Sequence, residues 1–295
     1  MSFLKSIFSK KSTFYKLLVI LVVWIFCMAI ASAIASAITI ALSQVIHEEI
    51  TQLKTTQALL QIFGFIAATF ICTYLFDQNT KRYLNLSTDV KAVHYLLAVT
   101  IIICAIPAIN FIAEWNEKIK LPECFHNIEL WMQQQEIKNK ELTDRFLTTS
   151  SWGGFFINLL VMAIIPALAE ELFFRGLLQK TFSKRFGIHI GIWLSAILFS
   201  GIHLQFYGFF PRMLLGATLG YFVYWSCSIY PAIFAHFINN AIIVASVFFS
   251  KSDKISSIGT TNQWAIGLTS CIVCGILLWI LQKYHTRAND VAHEQ

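Results

Sequence analysis

Eight runs of mostly apolar residues, roughly 17–43, 57–76, 94–113, 152–175, 188–206, 209–226, 229–249 and 263–282, divide this chain into lengths that a lipid bilayer can hold. A helix needs about 20 such residues to cross the hydrocarbon core of a membrane. Backbone in lipid must satisfy its own hydrogen bonds, which leaves only the α-helix or the closed barrel, and barrel strands are far shorter than these runs. The expected fold class is therefore all-α, a polytopic transmembrane helix bundle with about eight spanning helices. Composition agrees: 13% of residues are charged, against about 25% in a soluble domain. The run from Leu17 to Leu42 exceeds the apolar core of a signal peptide, about 7–15 residues, and reads as the first span.

The net charge of +6 carries no nucleic-acid signature, because the basic residues flank apolar runs. That pattern sets orientation in a membrane. With the N-terminus inside, the inner side holds Lys5, Lys10, Lys11, Lys16, Lys81, Arg82, Lys91, Arg175, Lys180, Lys184, Arg185, Lys283 and Arg287. The outer side holds Lys54, the basic residues of one long polar loop, and Lys251 and Lys254. Both termini are expected in the cytoplasm and the protein in the plasma membrane. The chain divides into N-terminal transmembrane helices (1–113), a polar extracytoplasmic loop (114–151) with helical character over Ile128 to Phe146, a transmembrane core (152–250), and a last helix with a cytoplasmic tail (251–295). Of the seven cysteines only Cys124 lies in a polar loop, so no disulfide framework is implied.

Ionisable residues inside apolar spans cost about 2.5–3.5 kcal/mol on insertion scales, so they persist where the bundle gives them partners and work. Three clusters stand out: Glu170 and Glu171 with Arg175, Phe199 with His203, and His236 with Asn240. On a helix, Glu171 and Arg175 lie four apart on one face and can form an ion pair. Glu170 is turned about 100° away and is left for other work, such as general acid or base chemistry. Arg212, near the start of a span, reads as a snorkelling interface residue. Gly216 and Gly220 form a GxxxG that favours close helix packing.

A turn near Gly187 would bring the clusters to one depth. Glu170 lies 17 residues before it and His203 16 after it, and at 1.5 Å per residue each is about 25 Å from the turn. His236 enters the seventh span about 9 Å from its start near Tyr230, with Asn240 one turn on. The expected meeting point is a pocket in the cytoplasmic half, open to the cytosol. Two chemistries fit it. Glu170, helped by a histidine, activates water while His236 and Asn240 hold an oxyanion; or Glu170, His203 and His236 hold a divalent metal such as zinc, with a water in the open position.

The three elements Glu-Glu-x-x-x-Arg at 170–175, Phe-x-x-x-His at 199–203 and His-x-x-x-Asn at 236–240, in this order on successive apolar helices and with Phe-Arg-Gly at 174–176, resemble the CPBP family. That is the CAAX prenyl protease 2 and bacteriocin-processing (ABI) group of intramembrane proteases. The resemblance spans about 152–245. It implies an endopeptidase acting on a membrane-associated protein or peptide, with Glu170 and Glu171 as catalytic carboxylates and Glu170 activating water, His203 as its partner, His236 and Asn240 binding the oxyanion, and Arg175 and Phe199 in support. A prenylated substrate is not implied, and both metal-dependent and metal-free glutamate mechanisms are compatible with it.

Other protease signatures are absent. His47-Glu48-Glu49-Ile50-Thr51 lacks the second histidine of a zinc-protease helix, and there is no Gly-x-Ser-x-Gly elbow or Walker loop. Two rival classes stay open: a non-catalytic membrane binding or immunity factor on the same scaffold, and a proton-coupled transporter, for which inverted repeats are missing.

Overall fold

The computed structural model describes residues 4–43, 49–250 and 257–293; His47, Glu48, Lys251 and Lys254 lie outside the described residues. The described residues form nine long helices and no strand: α1 (Thr13–Ser43), α2 (Glu49–Phe76), α3 (Ala92–Glu117), α4 (His126–Leu147), α5 (Trp152–Phe186), α6 (Ile188–Gly201), α7 (Phe209–Ser226), α8 (Tyr230–Ser250) and α9 (Trp264–His293). Six of these, α1, α2, α3, α5, α8 and α9, are long and apolar enough to cross a membrane. The chain is an all-helical, multi-pass membrane protein, compatible with the expected eight spans once the shorter α6 and α7 are added.

Local chemistry explains the pair α5 and α6. The Ser151 side chain accepts a hydrogen bond from the Gly154 amide at 3.0 Å and caps the start of α5. Pro166 lacks the amide that an α-helix needs, and the π-helical turn Leu159–Ile164 just before it widens the helix where the proline ring would otherwise clash. At the other end Gly187 adopts φ +84°, a conformation open to glycine, and reverses the chain into α6.

α6 stops at Gly201, short of the run to 206 expected from hydropathy. Its 14 residues reach about 21 Å, less than the roughly 30 Å of a bilayer core. Non-helical backbone at that depth is tolerated only when buried in protein or lining a cavity. Asn116 of α3 meets this need twice: its amide nitrogen donates to the Phe206 carbonyl (3.0 Å), and its oxygen accepts from the Phe210 amide (2.9 Å). The Ser200 hydroxyl donates to the Phe209 carbonyl. The turn from Ile202 to Gly208 is thereby tied to α3 and to the start of α7, and His203 and Gln205 of this turn face a cavity.

The polar stretch 114–151 folds as expected into a helix, α4. Arg145 pairs with Glu49 at the start of α2 (2.7 Å), and the Asn158 amide of α5 donates to the Leu147 carbonyl (3.2 Å). α4 is therefore a cap on one end of the bundle, resting on α2 and α5. The opposite end carries Lys81, Arg82, Lys180 and Lys184; there the Lys180 ammonium donates to the Arg82 carbonyl (3.0 Å) and to Asn85 (3.3 Å). The Tyr83 phenol at this end is pushed up to about 12, first by burial.

Candidate active site

Glu170 and Glu171 are consecutive and diverge as the helical repeat demands. Glu171 is wholly buried. Its Oε1 accepts from Arg175 Nη1 (2.7 Å) and from His236 Nδ1 (2.8 Å). Arg175, 2% exposed, also donates from Nη2 to the Gly216 carbonyl (3.0 Å) and lies over the Phe199 ring, 4.4 Å from its centroid. One turn on, the Gln179 amide donates to the Gly220 carbonyl at 3.1 Å. These two rungs, 175 to 216 and 179 to 220, lock α5 to α7. The glycines permit the approach: a Cβ on Gly220 would stand 2.6 Å from Gln179 Oε1 and 2.9 Å from Ile192.

Glu170 faces a cavity of about 360 Å³, whose wall it shares with Phe199, His203, Arg212, His236 and Asn240. One oxygen of Glu170 accepts from the Gln61 amide (3.0 Å), and the other stands 3.9 Å from His236 Nε2. Glu171 contributes nothing to this wall. The sequence reading grouped both carboxylates as catalytic; in the fold, Glu171 orients His236 and neutralises Arg175, while Glu170 alone meets the cavity.

The tautomers follow from the partners. His203 Nδ1 lies 2.7 Å from the Phe199 carbonyl, an acceptor only, so Nδ1 carries the proton and Nε2 is free to take another. His236 donates from Nδ1 to the Glu171 carboxylate, which turns Nε2 toward Glu170. The oxygen of Asn240 accepts from the Asn239 amide (3.1 Å), leaving the Asn240 nitrogen as a donor. Phe199 ties these groups together. Its face takes Arg175, and His203 and His236 stand edge-on to it at 5.1 and 5.9 Å. The four-residue spacing from Phe199 to His203 thus serves both a backbone acceptor and an aromatic support.

Two expectations need correction. Arg212 does not snorkel to an interface. It lines the cavity, is bound by Gln205, and lies close enough to Glu170 and to Glu136 of α4 for both carboxylates to act on its charge. The Glu136 carboxyl is pushed up by burial, against the pull of Arg212. The cavity also does not open toward the basic end. Gln57, Thr143, Leu147 and Gln205 are among its wall residues, and all belong to the end capped by α4.

Three further wall residues, Gln61, Gln205 and Asn239, were not singled out as functional in the sequence. Gln57 and Gln61 carried a usable signal, two carboxamides four apart on one face of an apolar run. The π-helical turns Leu60–Ala67 and Glu171–Gln179 begin beside Gln61 and Glu170, and such widened turns recur at functional sites. As for a metal, no group of three His, Cys, Asp or Glu side chains among the described residues converges as a ligand set. Glu170, His203 and His236 share a cavity without forming one.

Residues 152–242 match the family described as type II CAAX prenyl endopeptidase Rce1-like. This segment contains every motif residue named above. The chain is also similar to the uncharacterized protein YpbD of Bacillus subtilis (strain 168), at 26% identity over 103 residues, 33% of this chain and 50% of that protein. The matched region thus spans half the length of that relative. No solved structure matches.

Proposed function

We propose that this Rce1-like membrane protein is an intramembrane endopeptidase that hydrolyses a peptide bond of a membrane-associated protein or peptide with a water activated by Glu170. One observation carries the reading: Glu170, His203, His236 and Asn240, drawn from α5, the turn after α6, and α8, share the wall of a single cavity. The family match over 152–242 supports the reaction class.

The roles follow from the atoms each group has free. Glu170 accepts a proton from water as the oxygen attacks the peptide carbonyl carbon. The carbonyl oxygen gains negative charge and is met by the Asn240 amide nitrogen and by His236 through Nε2, carrying a proton there, with Glu171 as the anion behind the ring. Collapse of the tetrahedral intermediate re-forms the carbonyl and breaks the C–N bond. The proton first taken from water passes to the leaving amine, with His203 Nε2 as a second station. Gln61 fixes one Glu170 oxygen so that the other faces the cavity.

The test is Glu170→Gln, which keeps the shape and removes the base. Cleavage, read by mass spectrometry of membrane peptides from cells with and without the variant, is expected to fall by about 10²–10⁴-fold while the amount of folded protein stays the same. Unchanged products would remove catalysis and leave the binding-factor reading. Loss of proton-coupled flux with no cleavage in the unaltered protein would establish the transporter.

A further inference from the structure

The ends of the bundle differ in charge and in access to the site. Lys10, Lys11, Lys81, Arg82, Lys184 and Arg185 gather at the termini and short turns of one end. Short basic turns are the ones retained on the cytoplasmic side. The other end carries α4, whose connection holds Lys118, Lys120, Lys138, Lys140 and Arg145, and the basic residues of the first end outnumber those of this one.

The basic end is closed to the site. A second cavity of about 440 Å³ enters from that end between Lys180, Ser183, Tyr224 and Cys227, and it stops at Arg175 and Gln179. Beyond it lies the buried partition of Arg175 on Glu171, Gly216 and Phe199, with Gln179 on Gly220. Passing it requires a buried ion pair to break and leaves each charge without its partner in the interior. From the α4 end, by contrast, the catalytic cavity runs down past Gln57, Thr143 and Gln205 to Glu170 without crossing that partition.

We infer that the catalytic cavity opens on the extracytoplasmic side, and that its substrate is a peptide segment exposed at that surface rather than a tail confined to the cytosol. This rests on the proposed hydrolysis for the word substrate, while the direction of opening stands on charge and packing alone. α4 would then be the element that such a segment meets first, since Thr143 and Leu147 form part of the wall.

Native cysteines report the two sides. Cys124, exposed, lies beside α4, and Cys227, exposed, lines the basic-end cavity. Intact cells expressing the full chain with an added Thr143→Cys are treated with a membrane-impermeant maleimide, and modified peptides are read by mass spectrometry. Cys124 and the new position-143 thiol are expected to be modified in intact cells, with Cys227 modified only after permeabilisation. The reverse pattern overturns the proposal. So does modification of Cys124 without modification at position 143 before or after permeabilisation, since no opening then lies on that face. The unsubstituted chain, with Cys124 and Cys227 alone, decides the orientation if Thr143→Cys fails to fold. The same labelling repeated in Glu170→Gln separates the two readings: unchanged labelling with unchanged cleavage defeats hydrolysis by Glu170 and leaves the opening intact.

Discussion

Two ion pairs in this protein have the same length and opposite surroundings. Arg175 meets Glu171 at 2.7 Å in the partition beside the cavity, with side chains 1% and 0% exposed; Arg145 meets Glu49 at 2.7 Å on the cap, with side chains 49% and 67% exposed. Distance alone would rank them equal. In the partition, both side chains are buried, and each charge depends on the other and on the Gly216 carbonyl, Phe199 and His236 around them. On the cap, each charge keeps most of its hydration and gains little by pairing. The comparison separates two tasks on neighbouring surfaces: the partition holds the architecture and the orientation of His236, and the cap closes over a cavity without contributing much to holding the bundle.

The largest effect is expected from breaking the buried pair. Arg175→Met keeps bulk but leaves Glu171 facing His236 with no guanidinium, and removing one partner of a buried pair costs about 3–5 kcal/mol. The expected outcome is a marked fall in folded protein, read by thermal unfolding in detergent, with cleavage lost in proportion. Full stability in that variant would mean that the partition is not held by the ion pair, and the comparison with the cap would fail.

Asn240→Ala addresses the cavity wall instead of the partition. Asn240 is half-buried and its oxygen bonds only the neighbouring Asn239 among the contacts described. Its loss is expected to leave unfolding unchanged while turnover drops by about 10²–10³-fold, the usual cost of one oxyanion donor. An equal loss of folding and activity would move Asn240 from chemistry to architecture.

The parts legible in the sequence were those set by local spacing. Glu171 and Arg175 sit four apart on one helix, so their pairing could be read before the fold was known. The turn at Gly187 and the helical character of 126–147 are likewise local. What escaped the reading depended on distant contacts. α6 ends at Gly201 because Asn116, from α3, supplies the hydrogen bonds that let the chain leave the helix inside the bundle. Arg212 has the first-turn position of a snorkelling residue, and only the packing of Gln205 and α4 turns it into a cavity wall. The direction of opening was hidden for the same reason. Depth along a helix shows how far Glu170 lies from each end, but not that Arg175 and Gln179 close one of the two routes.

The smallest effect is expected at the exposed pair. Glu49→Gln removes a charge at the start of α2 and frees Arg145 to water. Exposed pairs of this kind contribute about 0–1 kcal/mol and weaken with salt, so the unfolding temperature should hardly move. The informative reading is elsewhere. Arg145 stands on the same helix as Thr143 and Leu147, which line the cavity, and its bond to Glu49 is one of the contacts that seat α4. Glu49→Gln is therefore expected to raise the rate at which a thiol at position 143 reacts with maleimide, with cleavage at saturating substrate unchanged. A loss of stability close to that of Arg175→Met would show that the cap bears as much of the fold as the partition. The contrast between the two ion pairs would then rest on exposure without consequence.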